Sequence, residues 1–429
     1  MTIHEVDWIR THSYKFCPSL RSSALEWYRP AKHLPCFFQG TYKGAKQRLK
    51  RIPVIVQLSD ARSRGLAARS VAHNAGCGLT EELPLINAFC ARVNARNLES
   101  LVRDTNVKRV WYDGEIRAVL DTATKATHSA DLWDDEVTGR GVTVAVLDTG
   151  IYEHPDLTGR IAAFKDLVGQ KTKPYDDNGH GTHVAGDIAS DGNKSEYRYK
   201  GPAPEARLVG VKVLNKQGSG SLSTVIKGVE WCLQHKDTYG IRVINLSLGS
   251  SATLSYKNDP VCQAVEKAWK AGIVVCIAAG NSGPESGTIN SPGTHPDVIT
   301  VGALNDINPD QPDGKIVADF SSRGPTKDDL IKPDILSPGV GIVSLRSPKS
   351  NLDKQRKNTR TEEWYTTLSG TSMATPICAG IVAQMLQANP SLTPGQVKER
   401  LKKTAKAYPG LDANSQGSGL INARAAVKT

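Results

Sequence analysis

The chain has 429 residues, 39% of them hydrophobic and 23% charged, with a formal net charge of +11. That length exceeds one ordinary core, and the balance excludes a disordered chain. No apolar run approaches the roughly 18 residues of a transmembrane helix, so no membrane partner is expected.

Residues 1–49 form a basic extension with little periodicity and no assignable fold. The N-terminus is mixed polar, without a basic segment leading into an apolar one, so no secretory signal is read. Residues 1–128 hold 20 Lys and Arg against 11 Asp and Glu, with a cluster at Lys43, Lys46, Arg48, Lys50 and Arg51. No nucleic-acid motif accompanies that charge. A solvated linker, or contact with an acidic face of the same protein, is the simpler reading, and nucleic acid is not an expected partner. The eight cysteines are scattered and form no C-x-x-C pair. They read as reduced thiols, hence an expected cytoplasmic location.

Residues 50–120 read as a small α+β domain. IPVIVQL (52–58) is a strand, and ARSRGLAARSVAHNAG (61–76) is a helix stopped by glycine. LPLINAFCARV (83–93) is a strand region. The stretch 94–107 is a helix with Asn94 as N-cap. VKRVWYDGEIRAVL (107–120) reads as strand, Asp-Gly turn and strand. The order is close to β-α-β-β-α-β.

Residues 121–429 form the second, larger domain. The segments 142–148, 206–214, 242–248, 272–280 and 297–303 are apolar on both faces. Residues 221–237 and 260–272 are amphipathic helices between them. Such alternation calls for a mainly parallel sheet between two helical layers. Ligands of such sheets bind at the carboxyl ends of the strands.

Three segments in this part carry chemistry. VAVLDTG (144–150) ends a core strand in Asp148, a costly place for a carboxylate without partners. Alone it is weak evidence: strand ends often carry turn residues, and aspartic peptidases use D-T-G, but in two copies. DDNGHGTHVAG (176–186) offers His180 and His183. Their spacing of three, without a glutamate, is wrong for a zinc H-E-x-x-H site, and His183 reads as structural. Glycines beside His180 let another chain approach it. TLSGTSMATPICAGIVAQML (367–386) puts Ser372 at the start of an apolar helix, whose free N–H groups favour developing negative charge. It is not a G-x-S-x-G elbow, because residue 374 is alanine.

The order Asp, His, Ser, together with D-T-G, H-G-T-H-V-A-G and G-T-S-M-A-T-P-x-x-A-G, resembles the subtilisin-like serine proteases (subtilases, family S8). AAGN (278–281), FSSRGP (320–325) and KPDILSPG (332–339) look like further blocks of that family. The resemblance covers about residues 125–425 and includes forms with an N-terminal inhibitor-like propeptide. It implies a three-layer α/β subtilisin-like fold and a broad-specificity serine endopeptidase. Ser372 would be the nucleophile, His180 the general base and Asp148 its orienting partner. Asn281 matches the oxyanion asparagine.

Ser247, Leu248 and Gly249 resemble the strand that pairs with the substrate main chain, and Ala278, Ala279 and Gly280 the pocket wall. Small wall residues leave room for large apolar side chains, while the floor near Asn290 to Pro292 departs from the family pattern. No cofactor is implied for the chemistry. A structural calcium is implied at Asp156 in HPDL, although the loop at 190–200 is longer and more basic than the family's. The domain at 50–120 resembles the propeptide, an intramolecular inhibitor and folding aid, with self-cleavage between about residues 117 and 130. Polypeptide substrates are the expected partners. Three other readings stay open at this point: a pseudoprotease, a nucleic-acid-binding regulator and an esterase.

Overall fold

The computed structural model describes residues 3–16, 18–29, 36–59, 66–83, 87–112, 120–305 and 316–429. The chain divides into two compact units, Met1–Ile116 and Arg117–Thr429, a division that does not separate residues 1–49 from 50–120.

The first unit is built on four antiparallel strands, β1 (Ile52–Leu58), β2 (Leu79–Leu83), β3 (Ala88–Val93) and β4 (Val107–Tyr112), in the order β2-β3-β1-β4. Among the described residues, a short helix at Asp7–Thr11 and four longer ones accompany them: α1 (Pro18–Glu26), α2 (Cys36–Leu49), α3 (Leu66–Asn74) and α4 (Ala95–Arg103). In β1, alternate residues are buried, as a half-covered sheet requires. Asn94 caps α4 as expected: its side chain accepts from the Asn97 N–H at 2.9 Å, and Asn97 reciprocates. The N-terminal segment shares this core, since Trp8, Ile9, Leu20 and Trp27 are buried in one cluster with Val54, Phe89 and Leu98. The expected start of the helix at 61–65, part of the strand at 84–86, and the Asp-Gly turn with its return strand at 113–119 lie outside the described residues.

The second unit holds a seven-stranded, all-parallel sheet. Its strands are β5 (Thr143–Asp148), β6 (Ile161–Asp166), β7 (Arg207–Lys212), β8 (Ile241–Leu246), β9 (Val274–Ala278), β10 (Ile299–Leu304) and β11 (Ile335–Pro338). They run in the order β11-β10-β9-β8-β5-β7-β6. Successive side chains of β5 enter different cores. Val144 and Val146 join one with α5 (His180–Ala189) and α8 (Thr371–Ala388). Ala145 and Leu147 join the other, with α6 (Leu222–Gln234) and α7 (Pro260–Lys270). Helices on both faces explain why these strands read as continuous apolar runs. Among the described residues, no helix is long and apolar enough to cross a membrane.

Candidate active site

Asp148 ends β5 at the carboxyl edge of the sheet and is fully buried. Its Oδ1 accepts the Thr149 N–H at 2.7 Å and the His180 Nδ1–H at 2.8 Å. Among the described residues its Oδ2 has no hydrogen-bond partner. His180 opens α5, and its side chain keeps 23% of its surface exposed. Burial opposes its charged form, but the Asp148 charge and hydrogen bond outweigh that. They hold the His180 pKa above the ordinary histidine value.

A second buried carboxylate sets this spacing without touching either side chain. Asp176 accepts from Thr149 Oγ1 (2.9 Å), Asn178 N (3.1 Å), Gly179 N (2.8 Å), Thr182 N (2.9 Å) and Thr182 Oγ1 (2.6 Å). Five donors thus tie the turn after β5 to the first turn of α5. A Cβ on Gly181 would stand 2.2 Å from the Gly150 carbonyl, so the approach of the two segments requires glycine there. His183 is buried, with Nδ1 on Asp187 at 3.0 Å and Nε2 facing the Ile342 and Thr366 carbonyls at 3.1 and 3.2 Å. Both of its nitrogens are engaged, in keeping with a structural role.

Ser372 is the second residue of α8. Its Oγ donates to the Ser247 carbonyl at 3.0 Å, and Ser247 Oγ donates to the Ser372 carbonyl at 2.9 Å. Nucleophile candidate and β8 end are therefore bonded both ways. Asn281 follows β9, and its Oδ1 accepts the Thr371 N–H at 2.9 Å and the Thr371 hydroxyl at 3.0 Å. Because an N–H can only donate, this fixes the amide orientation and leaves Nδ2 on the other side. A Cβ on Gly370 would stand 3.4 Å from Asn281 Nδ2 and 3.6 Å from the Ser372 amide nitrogen. Two N–H donors thus flank one small space at a helix N-terminus.

A cavity of about 500 Å³ lies beside these groups, lined by His180, Ser247, Leu248 and Gly249 and by Leu214, Leu222, Val225 and Val261. In the sequence the last four stand at a strand end or on a helix face, with no ligand signal of their own. The Gly-Ser-Gly-Ser run at 218–221 before an exposed Leu222 was the available signal. Ala278 and Ala279 are buried and do not line this cavity. Asn290 stands against both predicted walls: a Cβ on Gly249 would be 3.1 Å from its Cβ, and one on Gly280 would be 2.7 Å from its Cγ.

Asp156 lies apart from this group. It is fully buried, and its carboxylate accepts from the Lys194 N–H (2.9 Å), Ser190 Oγ (3.3 Å) and Tyr365 Oη (2.5 Å).

A parallel sheet between two helical layers, with this Asp-His-Ser order at its carboxyl edge, defines a class. The Subtilase family model matches residues 139–419, and the chain belongs to that family of serine endopeptidases. It is 49% identical to serine protease AprX of Bacillus subtilis (strain 168), over 98% of each chain. It is 41% identical to subtilisin Savinase of Lederbergia lenta, over 68% of this chain and 93% of that one. The thermostable alkaline protease of Halalkalibacterium halodurans is 36% identical over 80% of this chain and 83% of its own.

Proposed function

We propose that the chain is a broad-specificity endopeptidase working through an acyl-enzyme on Ser372. His180 Nε2 takes the hydroxyl proton as Oγ attacks the scissile carbonyl, then gives it to the leaving amine. Asp148 holds the Nδ1–H tautomer and stabilises the imidazolium. Asn281 Nδ2 and the Ser372 N–H receive the oxyanion. The observation that carries this reading is the 2.8 Å Asp148–His180 bond opening on the cavity whose wall residue Ser247 holds the Ser372 hydroxyl. Attack requires that hydroxyl to rotate from Ser247 toward His180. A fluorophosphonate probe tests the assignment: labelling at Ser372, absent from Ser372→Ala, is expected. An unlabelled parent protein that still digests casein would remove it.

The general base must be neutral to act. kcat/KM is therefore expected to fall on the acid side with an apparent pKa above the ordinary histidine value, in line with the raised His180 pKa. Removing the negative charge in Asp148→Asn should move that limb to lower pH as well as reduce the rate. An acid limb unmoved by Asp148→Asn would count against the pairing.

Ser247, Leu248 and Gly249 form the extended edge on which a substrate main chain pairs, which tolerates many sequences. Leu214, Leu222, Val225 and Val261 then take an apolar side chain farther along the peptide. Ala278, Ala279 and Gly280 wall the pocket for the residue before the cut, and Asn290 narrows it with an amide. Asn290→Gly is expected to raise kcat/KM for phenylalanine at that position about ten-fold relative to alanine. Equal effects on both substrates in a matched peptide series would place Asn290 outside the pocket.

The same reading makes 50–120 the intramolecular inhibitor and folding aid. The unit boundary after Ile116 and the compact α+β build of the first unit support it. Self-cleavage between about residues 117 and 130 is expected in the active protein and not in Ser372→Ala. N-terminal sequencing of both checks this, and an active chain beginning at residue 1 or 2 would refute it.

A further inference from the structure

Family resemblance implies calcium at Asp156, and the donor set there does not suit a divalent ion. Calcium takes six to eight oxygens whose lone pairs face the metal. Both Asp156 oxygens are already occupied by donors from Lys194, Ser190 and Tyr365. Tyr365 stays a donor, because burial and then its bond to Asp156 push the phenol pKa far up. The carbonyls that face the neighbouring space are occupied too. The Arg160 guanidinium donates to the Asp156 carbonyl through one terminal nitrogen and to the Ala189 carbonyl through the other. Asp191 lies 3.7 Å from it, and the Arg160 side chain is only 14% exposed. One fixed cation therefore joins the turn after β5, the end of α5 and the loop at 190–200.

We infer that Arg160 supplies within the chain the positive charge that calcium would otherwise bring, and that no calcium binds at Asp156. A guanidinium suits this place because it is planar, permanently charged and presents several N–H groups to oxygens on different segments. Loop 190–200 can then be basic, as Lys194, Arg198 and Lys200 make it, since it has no metal to hold.

The test is thermal unfolding in the Ser372→Ala background, which prevents self-digestion. The unfolding midpoint is expected to be the same in EDTA and in calcium chloride. Arg160→Met should lower it by about 10 °C in both media, because two carbonyls and a buried acidic neighbourhood lose their cation. Should Arg160→Met fail to fold, the calcium comparison on the parent decides alone. A calcium-dependent rise that disappears in Asp156→Asn would overturn the inference. A rise that survives Asp156→Asn comes from elsewhere and leaves Asp156 metal-free, as inferred. An Arg160→Met protein as stable as its parent in EDTA would also overturn it.

Discussion

Replacing Ser372 with alanine is expected to lower kcat on peptide substrates about a million-fold, and His180→Ala by a similar factor. That magnitude is carried from subtilisin, a relative, and does not come from this geometry. What the geometry adds is the pattern of the losses. Ser372 without a base is a poorly nucleophilic alcohol, and His180 without the alcohol has no proton to take. The double variant Ser372→Ala/His180→Ala should therefore be no slower than either single one, with a residual rate above water from the remaining donors. Asp148→Asn should cost less, about ten thousand-fold, because its amide offers the wrong partner to Nδ1 while the ring stays in place. KM should barely move in any of them. Purified variants assayed on one chromogenic peptide measure all four. Multiplicative losses in the double variant would mean that Ser372 and His180 act independently, and the proposed chemistry would fail.

Asn281→Ala is expected to lower kcat by about 100- to 1,000-fold with little change in KM, a range again set by the corresponding donor in subtilisin. The reasoning is geometric. Thr371 takes Oδ1 twice, through its N–H and its hydroxyl, so the side chain cannot rotate to present its carbonyl to the oxyanion. Nδ2 is held within 3.4 Å of the point in front of Gly370 that the Ser372 amide also approaches. A donor fixed before the reaction needs no reorganisation when charge develops, which is where its advantage over water lies. Asn281→Asp should be at least as slow as the alanine variant, since a carboxylate would face the oxyanion. Gly370→Ala should also depress kcat, because its methyl would stand in the same space. An Asn281→Ala protein that loses affinity and keeps its turnover number would move Asn281 from the chemistry to ground-state binding.

Local features were the legible ones. β1 was readable to the residue because Ile52–Leu58 is mostly apolar, rich in β-branched residues and bounded by Arg51 and Ser59. Asn94 announced its helix by its side-chain chemistry. β6 went unread because Ile161–Asp166 is an edge strand with only Asp166 fully buried, and β2 because its LTEEL sequence has no apolar face of its own. The N-terminal segment gave no period, since Trp8, Leu20 and Trp27 reach the core from three short helices or turns. In the site, Asp148, His180, Asn281 and Ser372 sit in motifs that carry their own context. Ser247 Oγ and Arg160 do not, and Asp176, although it opens the segment around His180, shows nothing there of its role. Each also takes a partner from far along the chain, 27 residues away in the Thr149–Asp176 bond, 29 in Arg160–Ala189 and 125 in Ser247–Ser372.

The two-way bond between Ser247 and Ser372 has a consequence for the proposed chemistry, because the hydroxyl cannot donate to Ser247 and to His180 at once. The Ser372 hydroxyl donates to a main-chain oxygen of the segment proposed as the docking edge. A peptide that adds itself there as a strand, as proposed, would bring amide hydrogens to that same oxygen. On the proposed reading, occupancy would displace the hydroxyl from that oxygen and turn it toward the imidazole, and the trigger would be the backbone common to every protein and not any one side chain.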